Sequence, residues 1–420
     1  MDKEDRISYL PRNVIDRIFE LLPVEDAART SILSTKWRYI WAALPNLVLD
    51  NLFCNKLASR SGYIFEQTID KILLQHVGDI VTFDLDMSGL ELSLCPDIDR
   101  WILYATRNSV KKLKLNMTEY RTSKVPSYIF NCPTLTKLKL FNCVVKLPKS
   151  FLGFQKLTTL FLQKVTFEST TKICVINVPL LVKLSLINCN GTQYLNIVSV
   201  GLKYLHFCES RCNLDLNCFM NCKQLTCLYL EVDNYSMPAE RITLEKLLIS
   251  FATLEVLTLC SFELELLSAG AVRKGLPFTL NCLYHLELAV NFKEIGQIYY
   301  AFELIQSSAK LSKLDIWVYD SCDTAEAILK CIDTPITFLD QQLNTLKDVA
   351  MHYFKGSKTE LFFIKLLLAR TPSLVRMNID PYGSLEDWNI AIELMRFPRA
   401  SPKAELFYLT NVDKNLQAVD

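Results

Sequence analysis

A short pattern of apolar positions returns along most of the chain. An apolar residue, usually leucine, occupies the first, fourth and sixth positions, as in residues 135–140 (LTKLKL). The fourth positions fall at 83, 113, 138, 160, 184, 205, 228, 257, 286, 314, 349 and 377. Most steps between them are 21 to 30 residues, and one is 35. Because side chains two apart in a strand share a face, each occurrence predicts a short strand with one apolar face.

Steps of this length are close to the period of leucine-rich repeats. In such repeats the leucines point into a stacked core, while the residues between them lie on the open face of a curved solenoid. The unequal steps are typical of helices or loops of variable length on the convex side. The middle of the chain therefore predicts a repeat solenoid.

The first fifty residues follow a helical period instead. One helix is predicted over residues 10–22, a second from Val24 and a third that carries Trp37 and stops before Pro45. Three short helices in about 40 residues cannot enclose a core of their own, so they need a partner or a neighbouring domain. The apolar stripe of the first helix consists of Val14, Ile15, Ile18, Phe19 and Leu22.

This region resembles the F-box of plant proteins. The resemblance covers residues 5 to about 50 and rests on Leu-Pro at 10–11, Leu-Ser at 33–34 and Trp-Arg at 37–38, in that order. It departs at Arg12-Asn13, where relatives often carry an acidic residue. In that family the module binds a Skp1-like protein and docks onto a cullin-based ubiquitin ligase. The residues that the resemblance places at the Skp1-like partner are Leu10, Pro11, Ile15, Ile18, Phe19, Leu22, Leu33, Ser34 and Trp37.

Composition narrows the possible partners. Half of the 420 residues are apolar and 22% are charged, which is an ordinary globular balance. The net charge is +1, so no overall field directs the chain to nucleic acid or to an anionic membrane. We find neither an apolar leader segment nor a run of the ~18 apolar residues that a spanning helix needs. We therefore expect an intracellular protein, in the nucleus and/or cytoplasm, with no nucleic acid and no membrane among its partners.

The 15 cysteines do not predict disulfides, because their number is odd and the expected compartment is reducing. Five of them between positions 208 and 227 lack the paired C-x2-C spacing of a structural zinc site. Cys143 and Cys189 lie three residues after the last leucine of their repeats, where the repeat consensus takes Asn or Cys. We interpret both as structural residues that satisfy backbone groups where the strand turns away.

The sequence contains no recognisable catalytic motif. It lacks G-x-S-x-G, a Walker loop and G-x-G-x-x-G, and its four histidines lack metal-ligand spacing. Asp84 and Asp86 would share one strand face, as a metal-binding pair would; in a leucine-rich strand the commoner interpretation is a solvated surface. We expect no catalytic residue, no metal and no cofactor.

The residues between the leucines define the expected open face. Its early strands carry lysines, its middle strands aromatic residues, and its late strands a mixture of acids and bases. Exposed strand lysines are compatible with solubility alone, because they discourage edge pairing. The alternative is a face for an acidic or phosphorylated target segment, anchored by aromatic side chains. The candidate target-binding residues are Lys112, Lys114, Lys137, Lys139, Phe161, Lys183, Tyr204, His206 and Tyr229.

The C-terminal part contains two segments that resemble the FBD region of plant F-box proteins. They are residues 354–361 (FKGSKTEL) and 396–404 (RFPRASPKA). Strands are predicted over 345–351 and 372–379, with a helix around 360–369 between them. Since the end of a solenoid needs a cap, we interpret this part first as a cap and second as a further contact surface.

Together these patterns predict an α/β fold class: an N-terminal three-helix F-box, then a curved leucine-rich-repeat solenoid with a C-terminal FBD-like cap. The expected domains are residues 1–50, residues 51–335 with about ten irregular repeats from about residue 77, and residues 336–410 with two further strand matches. The resemblance implies a non-catalytic substrate-recognition adaptor of an SCF-type (Skp1–cullin–F-box) ubiquitin ligase. Its partners would be a Skp1-like protein, through it a cullin scaffold, and an unknown target protein. A Skp1-binding scaffold or a small-molecule receptor, without a degradative role, remains an alternative.

Overall fold

The computed structural model describes residues 10–90, 97–119, 123–168, 174–192, 195–209, 216–232, 241–269, 276, 278–321, 342–383 and 388–408. The chain divides into two compact units. Unit 1 comprises residues 1–200 and 211–215, and unit 2 comprises residues 201–210 and 216–420.

The described part of unit 1 begins with helices. The three predicted short helices are confirmed, and three further helices follow them. Their bounds are α1 (Arg12–Leu21), α2 (Val24–Thr30), α3 (Thr35–Ala42), α4 (Asn51–Ala58), α5 (Gly62–Gln75) and α6 (Ile98–Arg107).

Unit 1 also contains a parallel sheet whose strands are joined by long crossovers. Its strands, in spatial order, are β1 (Asn46–Leu49), β2 (Thr82–Asp86), β3 (Lys112–Asn116), β5 (Lys137–Phe141), β7 (Thr159–Gln163) and β10 (Lys183–Ile187). The leucines are in register: Leu113 lies opposite Leu138, which lies opposite Leu160. Because of this register the apolar side chains of successive strands stack into one core.

Short strands follow the main strands at the turns of the repeats. β4 (Ser123–Lys124), β6 (Cys143–Val145) and β8 (Thr166–Phe167) form one small parallel sheet, and β9 (Cys174–Asn177) pairs with β11 (Leu195–Val198). Asn142, Lys164 and Asn188 each follow a main strand directly and have φ of 54°, 53° and 50°. A left-handed residue thus ends the main strand at the same point of three repeats, and asparagine tolerates this conformation well.

Unit 2 contains a parallel sheet whose strands lie in sequence order. These are β12 (Tyr204–Glu209), β13 (Cys227–Val232), β14 (Val256–Leu259), β15 (His285–Asn291), β16 (Lys313–Asp320), β17 (Asp348–Phe354), β18 (Arg376–Pro381) and β19 (Glu405–Tyr408). Its described helices are α7 (Arg241–Ser250), α8 (Ser261–Ser268), α9 (Ile295–Gln306), α10 (Lys358–Arg370) and α11 (Trp388–Arg396).

All twelve apolar matches from the sequence are strands in the structure, which confirms the repeat prediction. Seven of the described strands were not predicted: the short strands β4, β6, β8, β9 and β11, and in the large sheets β1 and β19. β1 pairs with β2, Leu47 lying opposite Phe83, and β19 pairs with β18. The sheet of unit 1 therefore begins at Asn46, well before the position near residue 77 that the sequence predicted.

The core of each unit is built from strand leucines and from aromatic residues of the helices. In unit 1, Phe65 of α5 and Trp101 of α6 are fully buried and their ring centroids are 5.8 Å apart. The indole of Trp101 donates a 2.8 Å hydrogen bond to Oδ1 of Asp70. In unit 2, the ring centroid of Phe363 of α10 lies 5.5 Å from that of Phe292 and 4.6 Å from that of Phe302.

Residues 354–361, which resemble part of an FBD region, form the start of α10. Ser357 is the N-cap and its hydroxyl accepts a hydrogen bond from the backbone N–H of Glu360. The fully buried Glu360 side chain accepts hydrogen bonds from the backbone N–H groups of Lys355 and Gly356 and from the Ser357 hydroxyl. Gly356 has φ +77°, a conformation that glycine adopts without strain. The segment is therefore a helix-capping structure.

Candidate functional site

Helices α1 and α3 bury three of the residues predicted to contact a Skp1-like protein. Ile15 and Phe19 are 2% exposed and Trp37 is 6% exposed. The rings of Phe19 and Trp37 lie 5.7 Å apart. In this structure the three side chains are core residues of the chain itself. Their predicted contact with a Skp1-like protein stays a prediction.

Other apolar side chains of the same helices point outward. Leu33, one of the predicted contact residues, is 71% exposed. Leu21, Ile32 and Tyr39, which were not among the predicted contact residues, are also largely exposed. Each is an apolar or aromatic residue that lies outside the buried stripes of these helices. The sequence reveals such a residue only after the buried stripe has been identified. Of the remaining predicted contacts, Pro11 is exposed and Leu10, Ile18 and Leu22 are half-buried.

Ser34 has a structural role in this region. It is the N-cap of α3, and its hydroxyl accepts a 3.3 Å hydrogen bond from the backbone N–H of Trp37. An N-cap of this kind satisfies one of the unpaired N–H groups at the start of a helix. The Leu-Ser pair at 33–34 thus joins an exposed leucine to the residue that starts α3.

The face of the unit 1 sheet carries the predicted lysines in two rows that run across the strands. In each row, neighbouring residues lie opposite each other on adjacent strands. The first row consists of Thr82, Lys112, Lys137, Thr159 and Lys183. The second row consists of Asp84, Lys114, Lys139, Phe161 and Ser185.

Lys114 of the second row forms ion pairs with acids on the neighbouring strand. Its Nζ is 3.2 Å from Oδ1 of Asp84 and 3.3 Å from Oδ2 of Asp86. Burial raises the pKa of Asp84, and Lys114 only partly offsets this effect. Burial also acts on Asp86, but hydrogen bonds from Ser88 and Asn116 outweigh it, so that the pKa of Asp86 is lowered. The carboxylates of Asp84 and Asp86 therefore balance the positive charge of Lys114 on the same face.

The remaining lysines border a depression on this face. Its volume is about 430 Å³, and Lys114 and its partner Asp84 line it as well. The other lining residues are Thr82, Lys112, Leu113, Lys137, Lys139, Thr159 and Lys183. The Nζ of Lys139 lies 5.8 Å from the centroid of the Phe161 ring, within the range of a cation–π contact. Phe161 in turn lies 5.2 Å from Phe141. Basic side chains thus line the depression, and the pair Phe141 and Phe161 lies next to one of them, Lys139.

The predicted aromatic residues lie on the strand face of unit 2. On β12 and β13, Tyr204 lies opposite Cys227 and His206 lies opposite Tyr229. The ring centroids of Tyr204 and Tyr229 are 5.2 Å apart. Tyr229 also lies 5.6 Å from the His206 ring. Burial raises the pKa of Tyr229 to about 12 and lowers the pKa of His206. The phenol is therefore protonated at neutral pH, and burial favours the neutral imidazole.

Later strands of unit 2 add a polar network that the site prediction did not include. His285 Nε2 is 2.7 Å from Oδ2 of Asp315, and Lys313 Nζ is 2.9 Å from the same oxygen. Nearby on this face, the Trp317 indole donates a 2.6 Å hydrogen bond to Oε1 of Glu287. The sequence placed all of these residues on the open face, but only strand register shows which of them touch.

The nine predicted target-binding residues thus fall into two groups. The five lysines and Phe161 lie together in unit 1, and Tyr204, His206 and Tyr229 lie together in unit 2. Each group is a coherent patch in its own unit.

The cysteines at the repeat turns are enclosed. Cys143 is 3% and Cys189 is 1% exposed. The thiol of Cys189 lies 3.5 Å from the carbonyl oxygen of Leu162, and burial raises the pKa of Cys143 to about 12. Both have the structural environment that the repeat consensus predicted.

Two absences concern the part of the chain that the structure describes. Within it, no three His, Cys, Asp or Glu side chains come together as a group that could hold a metal ion. The helices of the same ranges include none that combines the length and apolar character needed to cross a membrane.

Parallel strands with leucines in register, repeated at intervals of about 25 residues, define a leucine-rich-repeat protein; three short helices precede the repeats. Two protein families match these same parts of the chain. The F-box domain family matches residues 7–49. The family described as "FBD-associated F-box protein At5g56370, LRR repeats" matches residues 98–316.

Individual relatives come from Arabidopsis thaliana. The F-box/FBD/LRR-repeat protein At1g13570 is 30% identical to this chain over 97% of this chain and 99% of its own length. The F-box/LRR-repeat protein At3g59200 is 33% identical over 49% of this chain and 41% of its own length. The FBD-associated F-box protein At5g56370 is 32% identical over 39% of this chain and 38% of its own length. The chain belongs to the plant F-box/FBD/LRR-repeat family, whose members are typically non-catalytic adaptors.

Proposed function

We propose that this protein is a substrate-recognition adaptor of an SCF-type ubiquitin ligase. Proteins that combine an F-box with leucine-rich repeats generally work in this way. The observation that carries the proposal here is the N-terminal module. Its core is filled by Ile15, Phe19 and Trp37, and yet Leu33 and Tyr39 remain largely exposed. Exposed leucine and tyrosine on a small helical module are typical of a surface that a partner covers.

The partner of this surface would be a Skp1-like protein, which would link the chain to a cullin scaffold. In this assignment Leu21, Ile32, Leu33 and Tyr39 contact the partner directly, together with the accessible parts of residues 10 and 11. Ile15, Phe19 and Trp37 hold the helices in place, and Ser34 starts α3. The docking module would be residues 1–50, although β1 already pairs with the repeat strand β2.

The target protein would bind the strand face of the repeats in residues 51–335. Within each unit, parallel strands in register hold the side chains of that face at fixed intervals, so that each unit presents an ordered surface of its own. Residues 336–410 would close the repeat core and offer a second surface. Ubiquitin transfer would be carried out by other subunits of the ligase, in the nucleus and/or cytoplasm.

Co-purification with a Skp1-like plant protein tests the docking proposal. We expect the double variant Leu33→Ala/Tyr39→Ala to lose most of the association while keeping the melting temperature of the unchanged chain. Leu74→Ala is the matched control, since Leu74 is 81% exposed on α5, outside the module. Undiminished association of the double variant would refute the assigned surface. Failure of the unchanged chain to associate would refute the adaptor function itself.

A Skp1-binding scaffold would give the same co-purification result, so degradation needs its own measurement. Affinity capture with the docking-defective double variant should enrich targets that the intact ligase removes. The half-life of a captured target is then compared in cells with the unchanged chain and with the variant. A longer half-life with the variant supports an adaptor, whereas equal half-lives favour a scaffold.

A further inference from the structure

The first row of the unit 1 face differs from the second in how its charges are balanced. In the second row, Lys114 is paired with Asp84 and Asp86. The first row, from Thr82 to Lys183, contains no acid. Among the residues that the structure describes, neither Lys112 nor Lys137 forms a salt bridge. The fold therefore provides local carboxylates for Lys114 and leaves an excess of positive charge at Lys112 and Lys137.

This excess has an energetic cost that an anion would remove. Lys112 and Lys137 lie directly opposite each other on adjacent strands, which are about 4.8 Å apart. Like charges on neighbouring strand positions repel each other, and the repulsion grows where the surface is concave and partly shielded from water. The depression that these lysines line provides such a place.

The geometry around Thr159 shows where the anion would lie. Thr159 is the member of the row between Lys137 and Lys183, so the two lysines approach it from both sides, about 10 Å apart. Lys112 adds a third cation on the far side of Lys137. An anion above Thr159 would meet flexible ammonium groups and a hydroxyl.

A phosphate monoester fits these groups better than a carboxylate. It carries a charge of about −1.5 to −2 at neutral pH and has three acceptor oxygens, so it can engage two or three lysines and the Thr159 hydroxyl at once. A carboxylate brings one charge and two oxygens. Lysine is suited to phosphate as a mobile point charge.

An aromatic surface lies beside this charge. Phe161 is two residues along β7 from Thr159, and Phe141 lies 5.2 Å from Phe161 on β5. Two residues of an extended chain span about 6.7 Å. An extended peptide aligned with the strands could thus place a phosphate over Thr159 and an apolar side chain about two residues away over the two phenylalanines.

We infer that the row Lys112–Lys137–Thr159–Lys183, with Phe141 and Phe161, is a binding site for a phosphorylated peptide segment that carries a large apolar residue near the phosphoresidue. The inference rests on the proposed adaptor function, for which it names the class of target: a protein that is bound after phosphorylation. It assigns no such role to the tyrosines of unit 2.

The test uses the full chain co-expressed with a Skp1-like protein. The probe is a fluorescent extended peptide with a central phosphothreonine and a phenylalanine about two positions away. Matched peptides carry threonine or glutamate in place of phosphothreonine, or alanine in place of phenylalanine. We expect the phosphopeptide to bind at least about tenfold more tightly than the threonine and glutamate peptides, and its affinity to fall as salt is raised.

Two triple variants, each of which removes three lysines, distinguish binding at this row from nonspecific attraction by the positive charge of the surface. Lys112→Ala/Lys137→Ala/Lys183→Ala should weaken phosphopeptide binding at least about tenfold. Lys71→Ala/Lys149→Ala/Lys156→Ala removes three exposed lysines outside the row and should leave binding unchanged. Phe161→Ala should weaken the phenylalanine peptide toward the affinity of the alanine peptide.

Several outcomes would overturn the inference. Equal binding of the threonine peptide, or equal losses in the two triple variants, would show that phosphate is not recognised at this row. Binding of inorganic tripolyphosphate without binding of any phosphopeptide would show a small-molecule site instead. The Skp1-like protein reports separately on the adaptor function. If it co-purifies while every phosphopeptide fails to bind, only the inference is overturned.

Discussion

The Nζ atom of Lys114 lies 3.2 Å from Oδ1 of Asp84, across the boundary between strands β3 and β2. Asp84 is the residue directly opposite Lys114 in the register of the sheet. Because neighbouring repeats are aligned without a shift here, a charge in one repeat can be balanced by its counterpart in the next. This relationship distinguishes Lys114 from the lysines of the adjacent row and gives a direct stability prediction.

Lys114→Ala should lower the free energy of unfolding at pH 7 by about 1–2 kcal/mol, because it leaves two partly buried carboxylates without their cation. The pKa of Asp84 is already raised by burial, so its charged form weakens the fold as the pH rises through that pKa. Without Lys114 this effect grows. The loss should therefore be larger at pH 7 than at about pH 3, below the ordinary aspartate pKa, as measured by urea unfolding.

Lys112→Ala is the control for this variant, since Lys112 lies on the same strand and is exposed. Its effect should stay within about 0.5 kcal/mol at both pH values. Equal losses for the two variants would mean that the Lys114 ion pairs contribute nothing specific.

The sequence predicted the repeat strands because leucine at the first, fourth and sixth positions encodes both the strand and its buried face. It did not predict β1 or β19. β1 offers only Leu47 and Leu49 after Pro45, and β19 (ELFY) has a single leucine, so neither contains the full pattern. Their strand structure depends on pairing with β2 and β18, a tertiary contact that a single-sequence period does not contain.

The candidate site was predictable to a similar extent. Alternation in the strands placed the lysines, Phe161 and the acids on one face. It could not show that Lys114 is paired with Asp84, nor that Thr159 lies between Lys137 and Lys183, because these facts depend on register between segments more than 20 residues apart. In the N-terminal helices, the apolar period identified Ile15 and Phe19, but it did not distinguish core from contact surface.

The capping structure at the start of α10 provides the second prediction. Glu360→Ala should lower the free energy of unfolding by about 2–4 kcal/mol, since it leaves the N–H groups of Lys355 and Gly356 and the Ser357 hydroxyl without their acceptor. Glu393→Ala, an exposed change on α11, should have little effect. Chemical unfolding of the two variants checks this, and similar small losses would contradict the role assigned to Glu360.

The third prediction concerns acid stability in unit 2. Burial acts to raise the pKa of Asp315, but hydrogen bonds from His285 and Lys313 outweigh it and lower that pKa. A lowered carboxyl pKa contributes stability above the ordinary aspartate range, and this stability is lost as the pH falls through the folded pKa. Asp315→Asn should therefore cost about 1–2 kcal/mol at pH 7, and the difference from the unchanged chain should shrink below about pH 4.

Asp348→Asn serves as the comparison for Asp315, because Asp348 is an exposed aspartate at the start of β17. Unfolding of both variants is followed at several pH values. A constant difference for Asp315→Asn down to acid pH would show that its effect comes from packing rather than from its charge.

The last prediction tests the structural role of the cysteines at the repeat turns. Cys143 is 3% exposed and burial raises its pKa to about 12, so at pH 8 almost none of it is present as the reactive thiolate. Iodoacetamide should modify Cys143 only after the chain is unfolded in denaturant. The half-buried Cys282 should react faster in the folded chain, and peptide mapping by mass spectrometry distinguishes the two. Equal rates for Cys143 and Cys282 without denaturant would mean that the turn after β5 opens in the folded state, and that its thiol is not a fixed part of the repeat core.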